Sequence, residues 1–351
     1  MVTEATPSTE PVKRHRVSAL DGLRAVAVIV IFLHHALPDT FPGGYFGVDI
    51  FFALSGYLIT AQLVQEHVRR GSIWLTGFYI RRFLRLTPAL MIVVVFALIV
   101  HVAVGWGANP FQAAAAATYL MDFYLSLTSH FGGSLAHTWS LAVEEQFYLV
   151  WPALLILGIR LRWPMIWVTS FLVVAAIVPT LLVVRAGSYQ MAYYSPFAHL
   201  GELGAGVLLA LIVASDRTSM IRWTRSYAVP VVAVGLLTAA SLGADQEWAW
   251  QYYGGFTAAG LVTAAVVAHC ILRPDSYVTK ALGRRTMTWI GERSYGIYLW
   301  HYPLLYVLIR YVDDWVALIV GGVLSVVLAA LSFRYVEQRF NRIKDTKFAT
   351  R

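Results

Sequence analysis

Arg24 and His35 lie eleven residues apart in the first apolar run of this 351-residue chain. At about 100° and 1.5 Å per residue, a helix places them on one side, about 16 Å apart along its axis. A guanidinium near one end and an imidazole deeper in are suited to hold an anionic group and to take up a proton. Asp21 is three residues before Arg24 and can pair with it, whereas His34 points about 100° away from His35. The second apolar run carries Asp49 behind Gly43-Gly44-Tyr45-Phe46-Gly47-Val48. A short connection makes the two runs antiparallel neighbours, so Asp49 is expected at a depth similar to that of His35. A carboxylate there would fix the tautomer of the histidine and stabilise its imidazolium. An Asp in a first turn equally serves the free N–H groups of its own helix, and the spacing favours neither reading. Ser55-Gly56 reads as a close helix-packing pair.

The segment Phe78–Pro88 is basic and is expected to be a cytoplasmic loop. Its Arg81, Arg82 and Arg85 are candidates for phosphate binding, since guanidinium groups make bidentate, charge-assisted hydrogen bonds. Contact with lipid headgroups is the plainer alternative. Further on, Ser140, Glu144 and Tyr148 recur at i, i+4 and i+8 and form one stripe, with Glu145 about 100° off it. Glu144 is therefore the expected inward group, and two adjacent acids in hydrocarbon are expensive without a role. His199 and Glu202 follow, then Ser294, Tyr295, Tyr298 and His301. Arg334 and Glu337 close the last run as an expected ion pair. His101 and His269 read as interfacial. No metal site is expected, because the histidines lack ligand spacing, and the single cysteine, Cys270, excludes internal disulfides and Cys-rich zinc sites.

These residues need elements to hold them, and the composition says what kind. Only 13% of the chain is charged, 58% is hydrophobic and the mean hydropathy is +0.64. A water-soluble fold cannot hide that much apolar surface, which excludes a soluble enzyme, a soluble nucleic-acid binder and a disordered chain. The net charge of +8 is not a nucleic-acid footprint, because the basic residues sit in short clusters between long apolar runs. The expected fold is all-α: a polytopic membrane bundle of about ten spans, at 18–37, 46–64, 88–106, 138–158, 164–184, 195–214, 228–243, 254–272, 289–310 and 314–335. The apolar stretch 110–127 is short and holds Asp122, so it reads as re-entrant or interfacial. The weakest spans are 228–243, which is short, and 289–310, which contains Glu292, Arg293 and His301. With both termini cytoplasmic, 24 of the 27 Lys and Arg fall on the inner side, as the positive-inside rule requires. Residues 1–17 are expected to be a cytoplasmic tail before a retained span, 18–337 the bundle, and 338–351 a basic cytoplasmic tail. The first run lacks a small-residue cleavage site, so it is not read as a signal peptide.

At these same residues the sequence resembles the acyltransferase 3 family of polytopic membrane acyltransferases. The matching segments are Leu20-Asp21-Gly22-Leu23-Arg24-Ala25 with His35; Gly47-Val48-Asp49 through Phe51-Phe52 to Ser55-Gly56-Tyr57-Leu58-Ile59; and Arg81-Arg82, Arg85 and Pro88. They continue with Trp139-Ser140-Leu141, Glu144 and Phe147-Tyr148, then Ser294-Tyr295, Ile297-Tyr298-Leu299, His301 and Pro303. The resemblance covers nearly the whole chain, and the ordered set is far more specific than any single motif. It departs from the family at Gln338, where a proline often follows the terminal Glu, and at Gly201, where a larger residue usually precedes the Glu.

The resemblance implies a ten-span bundle that transfers an acyl group, commonly acetyl, from acyl-coenzyme A to a hydroxyl. Acceptors in the family include cell-surface carbohydrates, glycolipids and macrolides. The arginine and histidine spaced as Arg24 and His35 are regarded as its functional pair. The expected site therefore has His35 as general base, oriented by Asp49 or Glu144. Arg24, Arg81, Arg82 and Arg85 hold the phosphates of the donor, acyl-CoA, a co-substrate and not a resident cofactor. Ser140, Tyr148, Glu202 and His301 are expected at the acceptor. Some members carry a further extracytoplasmic hydrolase-like domain, and none is expected here. The expected partners are the lipid bilayer, the donor, the acceptor and a possible second copy of the chain. The competing class is a proton-coupled transporter using the same Arg, His and Glu groups as a relay, although no inverted repeat is visible. A non-catalytic scaffold is the third class, and it would tolerate loss of Arg24 and His35 together.

Overall fold

A computed structural model describes residues 17–128 and 133–340. The expected tails at 1–16 and 341–351 lie outside the described residues. Fifteen α-helices carry the described chain, joined by short 3-10 turns. They are α1 (Ser18–Ala36), α2 (Phe46–Arg70), α3 (Leu75–Val104), α4 (Pro110–Ala117), α5 (Met121–Leu127), α6 (Trp139–Arg160), α7 (Met165–Arg185) and α8 (Tyr189–Tyr194), then α9 (Leu200–Ala214), α10 (Ala228–Gly243), α11 (Gly255–Leu272), α12 (Tyr277–Leu282), α13 (Arg285–Glu292), α14 (Ser294–Leu308) and α15 (Asp314–Ser332). No strand occurs among the described residues. The chain is an all-α, multi-pass membrane protein.

Eight helical segments among the described residues are long and apolar enough to cross a bilayer. This is fewer than the ten spans expected, and the two that fall short are the two the sequence marked as weakest. The expected span 228–243 is α10, with 16 residues, bent by 73° from the 3-10 turn Thr218–Arg225. The expected span 289–310 breaks at Arg293, so that α13 is a separate helix of 8 residues and α14 has only 15. Both short helices nevertheless join the two ends of the bundle. The far end of α10 meets the α1–α2 loop, where the Gly43 amide donates to the Ser241 carbonyl (3.1 Å). Its near end follows Thr224, whose carbonyl lies 2.8 Å from Nδ1 of His269 at the arginine-rich end. Tyr295, at the start of α14, donates to the Leu86 carbonyl (2.7 Å), and Arg310, just past its end, covers the Trp106 ring beyond α3. Among the described residues eight helices are thus long and apolar enough to cross a bilayer, or nine if the bent pair Thr218–Arg225 and Ala228–Gly243 counts as one span.

The basic segment Phe78–Pro88 is not a loop. Helix α3 runs through it, with Pro88 inside the helix. Proline removes one N–H and one backbone bond, and surrounding side chains with good helix propensity carry the helix past it. The stretch 110–127 folds as α4 and α5, a short pair that dips into the bundle. At its turn, the Tyr119 hydroxyl lies 3.2 Å from Oγ1 of Thr87, and Nε2 of Gln146 donates to the Tyr119 carbonyl (3.2 Å) and to both Asp122 oxygens (3.0 Å). His269 is buried and holds Thr224 and Ser276 together, so it is a structural tie and not an interfacial residue.

The outward faces of α3, α7, α10 and α15 expose Val95, Ile99, Phe171, Val174, Val231, Val234, Ile319 and Val323, as helices in lipid do. The interior is held by close backbone contact. Helix α2 packs more extensively on α9 than any other pair of helices. At that crossing a methyl group on Gly206 would lie 2.0 Å from the Ala53 carbonyl oxygen, and one on Gly56 would lie 2.0 Å from that of Leu203. Backbone stands directly on backbone, the device by which small residues hold helices together without a hydrophobic driving force. Gly206→Val is therefore expected to lower the melting temperature in detergent, at a cost of about 1–3 kcal/mol for overpacking. Gly235→Val on α10, where nothing lies within 4 Å, should leave it unchanged.

Candidate active site

A cleft of about 740 Å³, open solvent at its mouth included, lies between α1, α2, α3, α6, α13, α14 and the end of the last helix. Its mouth lies at the arginine-rich end. Arg24 reaches it from α1, and Arg82 and Arg85 from α3. Arg82 and Arg85 are three residues apart and share a helix face; Arg81 is about 100° from Arg82 but only about 40° from Arg85, so spacing alone does not separate it from the pair. Arg81 does not line the cavity. It lies 3.7 Å from Glu66 and over the Trp74 ring instead, which corrects its expected place among the anion-binding groups. Arg24 lies 3.7 Å from Asp21, as expected. Glu337 also lines the cavity, so the expected pair with Arg334 is not formed; Arg334 covers the Tyr335 ring.

The stripe expected on α6 forms one wall. Ser140, Glu144 and Tyr148 all line the cavity, and Glu145 does not. Oγ of Ser55 donates to Oε1 of Glu144 (2.6 Å), and the Tyr148 hydroxyl donates to Oγ of Ser55 (2.9 Å). The Arg82 guanidinium stands 4.1 Å above the Tyr148 ring. Ser55, expected only to pack, is thus part of the cavity wall. At the inner end the Ser140 and Tyr298 hydroxyls are 2.6 Å apart, and Tyr298 also donates to the His137 carbonyl (2.7 Å). No histidine lines the cavity, so Ser140 has no imidazole base beside it there.

Beyond Tyr298 lies a cluster of imidazoles. Nδ1 of His35 is 3.1 Å from Nε2 of His301, and Nδ1 of His301 is 2.6 Å from the Tyr298 carbonyl. His34 stands edge-on to His35 at 5.0 Å between centroids, and Tyr302 at 4.7 Å. His137 lies 5.5 Å from the His301 ring and stacks on Tyr302 at 5.0 Å. His35 therefore faces α14 and not lipid, and it belongs to the layer next to the cavity, with Tyr298 shared between them. His137 opens the Trp139-Ser140 segment in the sequence, yet nothing in its spacing points to the cluster.

Asp49 and Glu144 do not touch His35. This corrects the expected carboxylate partner, since Glu144 is held by Ser55 and Asp49 faces α9. Donor atoms of Asp49, His199 and Glu202 lie within 4.8 Å of one another, and this is the one such trio among the described residues that could hold a metal ion. Nδ1 of His199 is 2.9 Å from Oε1 of Glu202, and its Nε2 is 2.8 Å from the Tyr193 carbonyl. A carbonyl only accepts, so Nε2 carries a proton and a further proton is shared between Nδ1 and Glu202. Glu202 is fully buried and is not part of the cavity, which corrects its expected place at the acceptor. His301 likewise contacts His35 and lies outside the cavity lining. A signal for Asp49 was present in the sequence. Asp49 and Gly56 are seven residues apart and share a helix face, so Asp49 points wherever Gly56 packs.

The chain belongs to the acyltransferase 3 family: the model of its acyltransferase domain matches residues 17–334. The sequence is 33% identical over 349 residues to the peptidoglycan O-acetyltransferase OatA of Listeria monocytogenes, covering 92% of this chain and 56% of that protein. It is 32% identical over 358 residues to the putative peptidoglycan O-acetyltransferase YrhL of Bacillus subtilis (93% and 55%). It is 29% identical over 367 residues to the putative O-acetyltransferase SACOL0978 of Staphylococcus aureus (94% and 58%). The chain spans little more than half the length of these relatives. No solved structure gives a significant match. The apolar helices and the bacterial relatives together mark a multi-pass protein of a bacterial cell membrane.

The buried trio and the displaced arginine are separable by stability alone. Glu202→Ala removes one member of a buried set and leaves the others uncompensated, which costs about 3–5 kcal/mol. It should lower the melting temperature in detergent sharply. Arg81→Ala breaks a pair near the surface worth about 0–1 kcal/mol and should leave it nearly unchanged.

Proposed function

We propose that this chain is the membrane-embedded part of an O-acetyltransferase that moves an acetyl group from acetyl-coenzyme A to a hydroxyl of a cell-surface polysaccharide of the peptidoglycan kind. The observation that carries this reading is the convergence of Arg24, Arg82 and Arg85 on one cavity mouth, with the imidazole of His35 in the next layer of the same bundle. Three guanidinium groups match the 3′-phosphate and diphosphate of coenzyme A through charge-assisted hydrogen bonds. Arg24 and His35 are separated along α1 by about 16 Å, a distance that the thin, nearly neutral pantetheine arm spans when extended. Ser55, Ser140, Glu144 and Tyr148 offer hydroxyl and carboxylate groups along its path. The relatives named as peptidoglycan O-acetyltransferases support a polysaccharide acceptor more than a glycolipid or a macrolide.

The donor enters from the arginine-rich side, which the positive-inside rule makes cytoplasmic. The acceptor approaches His35 from the opposite end. His35 takes the proton of the acceptor hydroxyl as its oxygen attacks the thioester carbonyl carbon. The C–S bond breaks, and the proton is returned to the departing thiolate, so no charge is left in the membrane. Ser140 hydrogen-bonds to Tyr298 and lacks an imidazole partner in the cavity, which supports direct transfer over an acyl-enzyme on that serine.

The test is transfer of labelled acetyl from acetyl-coenzyme A to peptidoglycan fragments by purified protein in nanodiscs. His35→Ala is expected to lower kcat by about 10²–10⁴-fold, the contribution of a general base, with little change in donor KM. Arg82→Ala and Arg85→Ala should raise donor KM. Wild-type transfer by the His35 variant removes the base. Absence of any competition between coenzyme A and the labelled donor removes the donor site.

A further inference from the structure

The tautomer of His35 can be read from a chain of hydrogen bonds that ends on the main chain. His301 is fully buried on α14, with Nδ1 2.6 Å from the Tyr298 carbonyl oxygen. A carbonyl oxygen has no proton to give, so Nδ1 of His301 is protonated and donates. In the neutral ring Nε2 is then a lone pair, and it faces Nδ1 of His35 at 3.1 Å. A lone pair needs a donor opposite it, so Nδ1 of His35 carries the hydrogen and its Nε2 is left basic. Which ring nitrogen of a histidine is free is set by what the other nitrogen bonds. The neighbours agree with an uncharged resting cluster. The side chains facing the pair are His34, His137, Tyr298 and Tyr302, and the Ile31 carbonyl, one turn back on α1, also meets the His35 ring as an acceptor, which agrees with a protonated Nδ1. Nδ1 of His34 is itself 2.9 Å from the Phe41 carbonyl. No carboxylate of the described residues bonds to either ring; Asp49 and Glu144 are engaged elsewhere.

We propose that His301 is the positioning residue of the acyl transfer: held by the Tyr298 carbonyl, it accepts the Nδ1 hydrogen of His35 and so presents the Nε2 lone pair of His35 to the acceptor hydroxyl. This rests on His35 as the base. The arrangement differs from a Ser-His-Asp constellation in having a neutral imidazole where a carboxylate would stand. When Nε2 of His35 takes the hydroxyl proton, the positive charge is shared through the Nδ1–H bond to His301 and is met by the Tyr298 carbonyl dipole. When the thiolate leaves, Nε2 returns that proton to sulfur and the pair is neutral again.

Two measurements test the proposal. Nitrogen-15 NMR of histidine-labelled protein, with the His35 signals assigned by their loss in His35→Gln, reads the tautomer without turnover. The expected state is Nδ1–H in the wild type and a mixed or Nε2–H state in His301→Leu. A wild-type His35 with its hydrogen on Nε2 overturns the proposal. In turnover assays, His301→Leu should lower kcat at least about tenfold, within the about 10²–10⁴-fold supplied by the base, and leave donor KM unchanged. His301→Gln, whose amide oxygen can accept from Nδ1, should recover part of kcat. His301→Glu places an anion against the imidazolium and should move the acid limb of the pH–rate profile to higher pH. If Leu, Gln and Glu lose kcat equally while the pH profile stays put and the melting temperature falls, His301 is only structural. If His35→Ala is inactive and His301→Leu is normal, the relay fails and the base stands; if His35→Ala is fully active, the base reading itself fails.

Discussion

The backbone contact between α2 and α9 decides what the polar residues of this bundle can do. At Gly56 and Gly206 the two main chains touch with no room for a methyl group on either side. That contact fixes the rotation of α2 about its own axis. Asp49, which shares a helix face with Gly56, is carried into the buried set with His199 and Glu202. Ser55, about 100° round the helix from Gly56, is carried the other way, to Glu144 and the cavity. In hydrocarbon each of these groups must find a partner within the protein, because an unsatisfied polar group costs several kcal/mol there. One helix rotation therefore sorts the polar residues into two networks on two different faces of α2, about 120° apart.

The second organising layer is Tyr298. Its hydroxyl closes the arginine-lined cavity through Ser140 and the His137 carbonyl, and its own carbonyl holds His301 on the other side. The charged and neutral halves of the site meet at this one residue. Guanidinium groups need the aqueous mouth, since their burial without partners is costly. A neutral imidazole tolerates the apolar interior and is useful there, because a low dielectric strengthens the hydrogen bonds that orient it. The order from mouth to core, with Arg24, Arg82 and Arg85 first, then Glu144 and Tyr148, then Tyr298, then His35 and His301, follows this gradient.

Much of the architecture was legible in the chain itself. The apolar runs located the spans, and the ionisable Glu292, Arg293 and His301 within 289–310 and the shortness of 228–243 marked the two helices that are too short to stand as ordinary spans. The i, i+4, i+8 stripe of Ser140, Glu144 and Tyr148 became a cavity wall because a helix has no freedom to do otherwise. Errors came where an argument needed the neighbour of a face and not the face itself. The charge of Phe78–Pro88 suggested a loop before a span at 88–106, yet α3 runs through both. Similar depth suggested that Asp49 meets His35, yet depth says nothing about direction around the helix axis. Arg81 was grouped with Arg82 and Arg85 as one basic segment, yet Glu66 of α2 and the Trp74 ring draw it out of the cavity, partners that helix spacing does not reveal.

By itself the sequence determined the solvent, the all-α class, the approximate number of passes, and the faces of each helix that must be polar. Those follow from local quantities: transfer of apolar side chains into lipid and the fixed periodicity of the helix. Only the tertiary structure decided which polar face meets which, and so that His35 answers to His301 and not to a carboxylate. His35 and His301 are separated by 266 residues, and nothing local encodes their meeting. It is set by how glycine-lined helices settle against one another, a property of the whole packed bundle.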